Sequence, residues 1–134
     1  QLALYTILES PFNMLCDNPS NYMREPESLE FISQIPTVWD ETRVLDGQMG
    51  EYIVTARRKG NVWYIGGITN WTERDVTVDF SFLNNASFRG VMFKDGVNAH
   101  RSARDYTKEE LETISPVNIH MAPGGGFVMK LVLP

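Results

Sequence analysis

The sequence predicts a mainly β protein, an antiparallel β-sandwich preceded by a short helical segment. Three observations predict it. From position 37 onward, short apolar segments of period two are separated by Gly, Asn and Pro turns. Two consecutive strands within 51–70, EYIVTARRKGNVWYIGGITN, carry large apolar groups on both faces. Before Pro36 the apolar spacing is helical instead.

The first fifteen residues hold Leu2, Leu4, Ile7, Leu8, Phe12 and Leu15. Leu4 and Leu8 share one stripe, but Ala3, Tyr5 and Ile7 make the other sides apolar too. A helix apolar nearly all round is normally buried inside a larger body. The chain is therefore expected to be the C-terminal piece of a longer protein, with Leu4, Tyr5 and Leu8 as candidate contacts to its missing part or a partner. Pro11 ends or kinks this helix near Glu9 and Ser10. Asp17-Asn18-Pro19-Ser20-Asn21 reads as a loop. A second helix follows, with Pro26 near its first position and Glu27 and Glu30 in the early turns, where the helix dipole favours acids. Leu29, Phe31, Ile32 and Ile35 form its apolar side, and Pro36 stops it.

Five acids and one base precede Pro36, whereas the remainder holds twelve acids and eleven bases. That shift predicts a boundary there, dividing the chain into 1–36 and 37–134. Beyond it, 37–44 is a candidate strand closed by the Asp46-Gly47 turn. The hairpin within 51–70 turns at Lys59-Gly60-Asn61, with Gly60 at a positive φ. Tyr52, Val54 and Ala56 share one face of its first arm; Ile53, Thr55 and Arg57 share the other. The segment 74–82 alternates Val76, Val78, Phe80 and Phe82 against polar residues, and Asn84-Asn85 makes a turn. Strands are expected at 88–94, 117–121 and 126–133, the last two joined by a tight hairpin turn of Pro123 and three glycines. The segment 105–114 reads either as a helical turn or as an exposed strand.

A net charge of −5 argues against binding to a phosphate backbone. No apolar run approaches the roughly 18–20 residues that span a bilayer, so neither nucleic acid nor membrane is an expected partner. The lone Cys16 forms no internal disulfide and reads as a buried, inert thiol.

No complete set of catalytic groups is legible. Glu9, Glu25, Glu27 and Glu30 lack any visible opposed placement across a sugar and read as a solvated helix face. His100 and His120 lie in different segments without metal-binding spacing. Asp95-Gly96-Val97-Asn98 places oxygen ligands at alternate positions but lacks the rest of a calcium loop; an Asx-stabilised turn suffices. Gly124-Gly125-Gly126 opens no helix and is no phosphate cradle. Asn70-Trp71-Thr72 and Asn85-Ala86-Ser87 match the glycosylation triplet, which is common and needs a secretory host. Among Trp39, Trp63, Trp71, Tyr52 and Tyr64, Trp71 stands beside turn residues and is the candidate sugar contact. The other four read as core or interface groups.

The run QLALYTILESPFNMLCDNPSNYMREPESLEFISQIPTVWDETRVLDGQMGEYIVTARRKGNVWYIGGITNWT, then FKDGVNAHRSARDY and APGGGF, resembles the C-terminal end of glycoside hydrolase family 97. The resemblance covers almost the whole chain. Its best-known members are bacterial α-glucosidases and α-galactosidases of polysaccharide-using Bacteroides-type bacteria, which resemble one another in having an N-terminal β-sandwich, a catalytic (β/α)8 barrel and a C-terminal β-domain. The resemblance implies that 1–36 is the remnant of the barrel's end and its exit, and that 37–134 is the C-terminal domain. It implies a non-catalytic accessory role: bracing the barrel and supporting a homo-oligomer, in a periplasmic or secreted bacterial enzyme. The family's catalytic glutamates, and the calcium that assists its inverting members, belong to upstream domains. No catalytic, cofactor or metal position maps onto this chain. One departure is His100, where relatives carry an acid.

Overall fold

The computed structural model describes residues 2–8, 20, 23–24, 26–36, 38–83, 88–95, 106–111 and 116–133. Among the described residues, the helices with defined bounds are α1 (Leu2–Ile7) and α2 (Pro26–Gln34). Eight strands follow: β1 (Glu41–Gln48), β2 (Tyr52–Lys59), β3 (Val62–Thr69), β4 (Arg74–Val78), β5 (Arg89–Asp95), β6 (Tyr106–Leu111), β7 (Val117–Met121) and β8 (Gly126–Val132). Six form one sheet in the order β1-β2-β3-β8-β5-β6, and β4 pairs with β7 in a second, two-stranded sheet. Every neighbouring pair is antiparallel. The sandwich is thus unequal, a broad sheet covered on one face by a ribbon and on the other by the helices.

The core between the two sheets follows from the alternation of the strands. Val54, Ala56, Trp63, Ile65, Phe127, Met129 and Leu131 on the broad sheet meet Val76, Val78, Ile119 and Met121 on the ribbon. The opposite face buries a smaller cluster: Tyr64, Phe93 and Val128 from the sheet against Phe31 of α2, with Ile35 and Trp39 packed around it. Coverage of both faces at β2, β3 and β8 agrees with the two-faced hairpin read from the sequence.

The consecutive glycines of β3 divide their duties between these faces, because neighbouring strand residues point to opposite sides. A Cβ at Gly66 would sit 3.1 Å from the Ala3 carbonyl oxygen and 3.2 Å from Thr6 Cβ, so α1 lies directly on the strand backbone there. At Gly67 a Cβ would overlap the ring of Phe127, which lies over that position on the ribbon side. Neither glycine is spare; each is a seat.

The central turn has the expected form, two residues between Lys59 and Val62 with Gly60 at φ 62°. Three other expectations are corrected. First, β1 starts at Glu41 and continues through Asp46-Gly47 to Gln48. A bulge at Leu45 precedes the Asp-Gly pair, which stays in register with Val54 and Ile53, and the turn falls at Gly50, φ 75°, closed by Glu51 N–H donating to the Gln48 carbonyl at 3.0 Å. Second, β4 stops at Val78 rather than running to Phe82. The Asp79 carboxylate accepts from Ser81 N–H at 2.9 Å and opens a one-turn 3-10 helix, Ser81–Leu83. Phe80 is buried all the same, and Phe82 stacks edge-on to Trp63 at 5.0 Å. Third, the turn at Pro123 joins no hairpin: β7 and β8 belong to different sheets, so the turn carries the chain across the sandwich.

The ambiguous segment at 105–114 contains a strand, β6, with Lys108 and Glu110 exposed. Such an edge suits its charged sequence. Cys16, His100, the Asn84-Asn85 turn, the 85–87 triplet, the kink at Pro11, most of the Asp95–His100 loop and the expected loop at 17–21, apart from Ser20, which is helical and exposed, lie outside the described residues.

Replacing Gly67 by Ala forces Phe127 off its seat. Chemical denaturation should show a loss of about 1–3 kcal/mol, in the range of core overpacking, with the fold retained by circular dichroism.

Candidate functional site

Two surfaces take up the residues singled out from the sequence, and neither has the form of an active site. The first is α1. One side of this helix lies on β2, β3 and β8, with Ala3 and Thr6 buried. Leu4 is 39% exposed and Leu8 56% exposed. Four residues apart, the two leucines project along one side. Tyr5 lies within the helix, but its side chain is outside the described residues.

Arg57 fastens this helix. Its side chain rises from β2 on the helix face, where Arg57 Nη2 donates to the Ile7 carbonyl at 2.8 Å and Nη1 to the Leu8 carbonyl at 3.4 Å. The Ile7 carbonyl is the last of α1 and the Leu8 carbonyl follows it, at the helix's negative end. The guanidinium also stands 5.9 Å from the centre of the Trp39 ring. A residue only 4% exposed thus has its charge answered by carbonyl oxygens and a π face, which offsets part of its desolvation. Sequence reasoning placed Arg57 on the correct face without recognising its task. The available signal was a cation in the middle of a strand covered on both sides.

The second helix is held by Tyr64, whose hydroxyl donates to the Gln34 carbonyl at 2.9 Å, again at a helix C-terminus. Its ring meets Phe31 and Trp39 edge-on at 6.1 and 5.3 Å. Burial raises the Tyr64 phenol above its ordinary pKa. Lys130 reaches the Gln34 side chain from β8. Glu27 and Glu30 point to solvent; Glu9 and Glu25 lie outside the described residues.

The other surface is the end of the sandwich where β3 leaves the broad sheet. Trp71 is 85% exposed there. Of the other four aromatics, Trp63 and Tyr64 are buried, while Trp39 and Tyr52 are half-buried. Tyr52 carries the Arg74 guanidinium over its ring at 4.8 Å. Nearby, Val44, Met49, Ile53 and Ile68 line an open trough of about 520 Å³. On the ribbon, exposed His120 lies 2.7 Å from the Asp75 carboxylate and 3.5 Å from that of Glu73. Among the described residues, no three His, Cys, Asp or Glu side chains converge on a metal-sized site.

An unequal antiparallel sandwich with a helix-clad face and exposed apolar groups has the build of an accessory domain. Residues 38–132 match the family described as "Glycosyl-hydrolase 97 C-terminal, oligomerisation". The chain belongs to that family. It is 65% identical over 133 residues to a retaining alpha-galactosidase of Bacteroides thetaiotaomicron, covering 98% of this chain and 20% of that protein. A probable retaining alpha-galactosidase of Streptomyces bingchenggensis is 40% identical over half of this chain and 11% of its own length. A family 97 enzyme from Pseudoalteromonas, solved with acarbose, superposes with a TM-score of 0.91 at 34% identity, covering 99% of this chain and 22% of its own. A beta-arabinopyranosidase superposes at 0.80 and 27% identity, with 97% and 20% covered. The chain therefore spans about a fifth of the length of the longer matches.

Arg57→Met should lower stability by about 1–3 kcal/mol, the range for hydrogen bonds to a charged group, and hasten amide exchange at 4–8. Tyr64→Phe should cost about 1 kcal/mol at neutral pH. Because the folded phenol titrates above its unfolded value, the wild-type protein keeps this stability below pH ~10 and loses it as pH rises through the folded pKa. Denaturation across that range should show a shallower alkaline decline in Tyr64→Phe.

Proposed function

We propose that this chain is the non-catalytic C-terminal domain of a larger enzyme acting on α-galactosides with retention, and that it braces the catalytic barrel. The observation that carries this reading is the two-sided use of α1. Arg57 and Gly66 seat the helix on the domain's own sheet, while Leu4 and Leu8 remain outside. An apolar stripe on a helix already docked along its other side is suited to a second body. In this reading the segment 1–36 comes from the end of the barrel, 37–134 is the β-domain proper, and Leu4, Tyr5 and Leu8 meet the barrel or a second copy.

The galactoside reading is supported by the 65% identity to the Bacteroides enzyme, against 34% for the Pseudoalteromonas enzyme solved with acarbose. Catalytic glutamates, and any calcium, belong to upstream domains in this account. In this account the parent enzyme works in the periplasm or outside the cell, a reading that rests on the family resemblance alone.

The purified 134-residue chain should show no turnover of p-nitrophenyl α-galactoside; measurable hydrolysis dependent on the chain would overturn the reading. In the parent enzyme, Leu4→Glu with Leu8→Glu should loosen the domain against the barrel. That change should appear as earlier proteolysis or a lower melting temperature, while the same pair of changes in the 134-residue chain should leave its melting temperature nearly unaltered. Equal behaviour of the altered and unaltered parent would count against the leucines as the contact.

A further inference from the structure

We propose that Trp71 is the platform of a carbohydrate-binding subsite on this domain, taking a pyranose ring of a neutral oligosaccharide. This goes beyond the bracing role and does not depend on how α1 docks. The first observation is exposure. An indole 85% open to water is an unusual use of the largest apolar side chain in a domain that buries or half-buries its other tryptophans.

The second observation is rigidity. The ring rests against Gly124, where a Cβ would stand 2.8 Å from Trp71 Cζ3, and where φ of 68° also favours glycine. The segment carrying the indole is tied on every side. Gly124 N–H donates to the Asn70 carbonyl at 2.7 Å, Asn70 N–H to the Glu51 carbonyl at 2.8 Å, and Thr69 N–H to the Gly125 carbonyl at 3.1 Å. Within the loop, the Asn70 side-chain oxygen accepts from Thr72 N–H at 3.0 Å, and the Thr69 hydroxyl donates to the Thr72 carbonyl at 3.0 Å. Arg74 Nε in turn donates to that hydroxyl oxygen at 3.0 Å. These bonds fix the backbone on either side of Trp71. A platform whose backbone is set before its ligand arrives lowers the ordering cost of binding.

The third observation is the rim. The residues flanking the ring in sequence, Asn70, Thr72 and Glu73, are exposed and polar. A pyranose presents a face of C–H bonds, whose partial positive charge suits the negative face of an aromatic ring, and hydroxyl groups around its edge for the polar rim. The net charge of −5 favours a neutral sugar over an acidic one. An open, single platform implies binding in the millimolar range, near −4 kcal/mol.

The test is titration of the 134-residue chain with melibiose and with maltotriose, following the indole N–H resonances by NMR. The Trp71 signal, assigned by its loss in Trp71→Ala, should shift saturably with at least one sugar. Trp71→Ala should weaken binding at least tenfold without altering the melting temperature. Should that variant prove unstable, Trp71→Phe keeps a smaller ring on Gly124 and should bind severalfold more weakly. Absence of a saturable shift with both sugars would overturn the proposal, as would unchanged affinity in Trp71→Phe. If Trp71→Ala changed sedimentation instead of sugar binding, the ring would belong to a protein interface and the subsite would be refuted. Failure here leaves the bracing role untouched, because that role is read from Leu4 and Leu8.

Discussion

The helix-side architecture depends on one close approach, the contact of α1 with the backbone of β3 at Gly66, locked by Arg57 from the neighbouring strand. Without a side chain at Gly66 the helix sits against the sheet, with the Ala3 carbonyl oxygen at the edge of van der Waals contact. Once there, its C-terminal carbonyls fall within reach of the guanidinium. The two features need each other. A buried arginine without those carbonyls would be an uncompensated charge, and a two-turn helix without the arginine is too short to be stable alone. The same strands hold the ribbon on their other face, so the layers of the domain meet at β2 and β3.

Most of the fold was legible, because a half-buried strand must alternate and the turns must be made by residues that tolerate them. The hairpin turn at Gly60, the strands β5, β7 and β8, and the helix ending before Pro36 are all local consequences of sequence. The misreadings arose where a local signal met a tertiary demand. Asp46-Gly47 has the composition of a turn, yet its pairing with Val54 and Ile53, just after a bulge at Leu45, carries the strand through it. Phe80 and Phe82 continue the alternation of β4, but the Asp79 side chain captures Ser81 N–H and bends the chain while both rings still reach the core. At Pro123 to Gly126 the residue types predict a turn, but nothing local states which sheet the next strand will join.

The candidate functional groups were legible to a different degree. Trp71 could be singled out because turn residues surround it, and the structure leaves it exposed. Leu4 and Leu8 were visible as a stripe on a helix with no polar side. That one side of α1 should rest on the domain itself was not visible, since the partner surface is Thr55, Arg57 and Gly66, a set with little apolar character. Gly66 and Gly67 look in sequence like a weak point in a strand; in the folded chain they are the sites where a helix and an aromatic ring come closest to the sheet. The outward groups therefore fall on two separate surfaces: leucines on α1, and an exposed indole at the end of the sandwich.

The helices are part of this domain's packing, and the outer side of α1 stays exposed. The direct measurement compares the unfolding of a 37–134 fragment with that of the whole chain, together with binding of a hydrophobic dye. Removing α1 and α2 uncovers Tyr64, Phe93 and Val128 and strips Arg57 of its carbonyl partners. The account predicts a fragment with a much lower melting temperature, or no cooperative transition, and strong dye binding. A fragment that melts like the whole chain and binds no dye would contradict it.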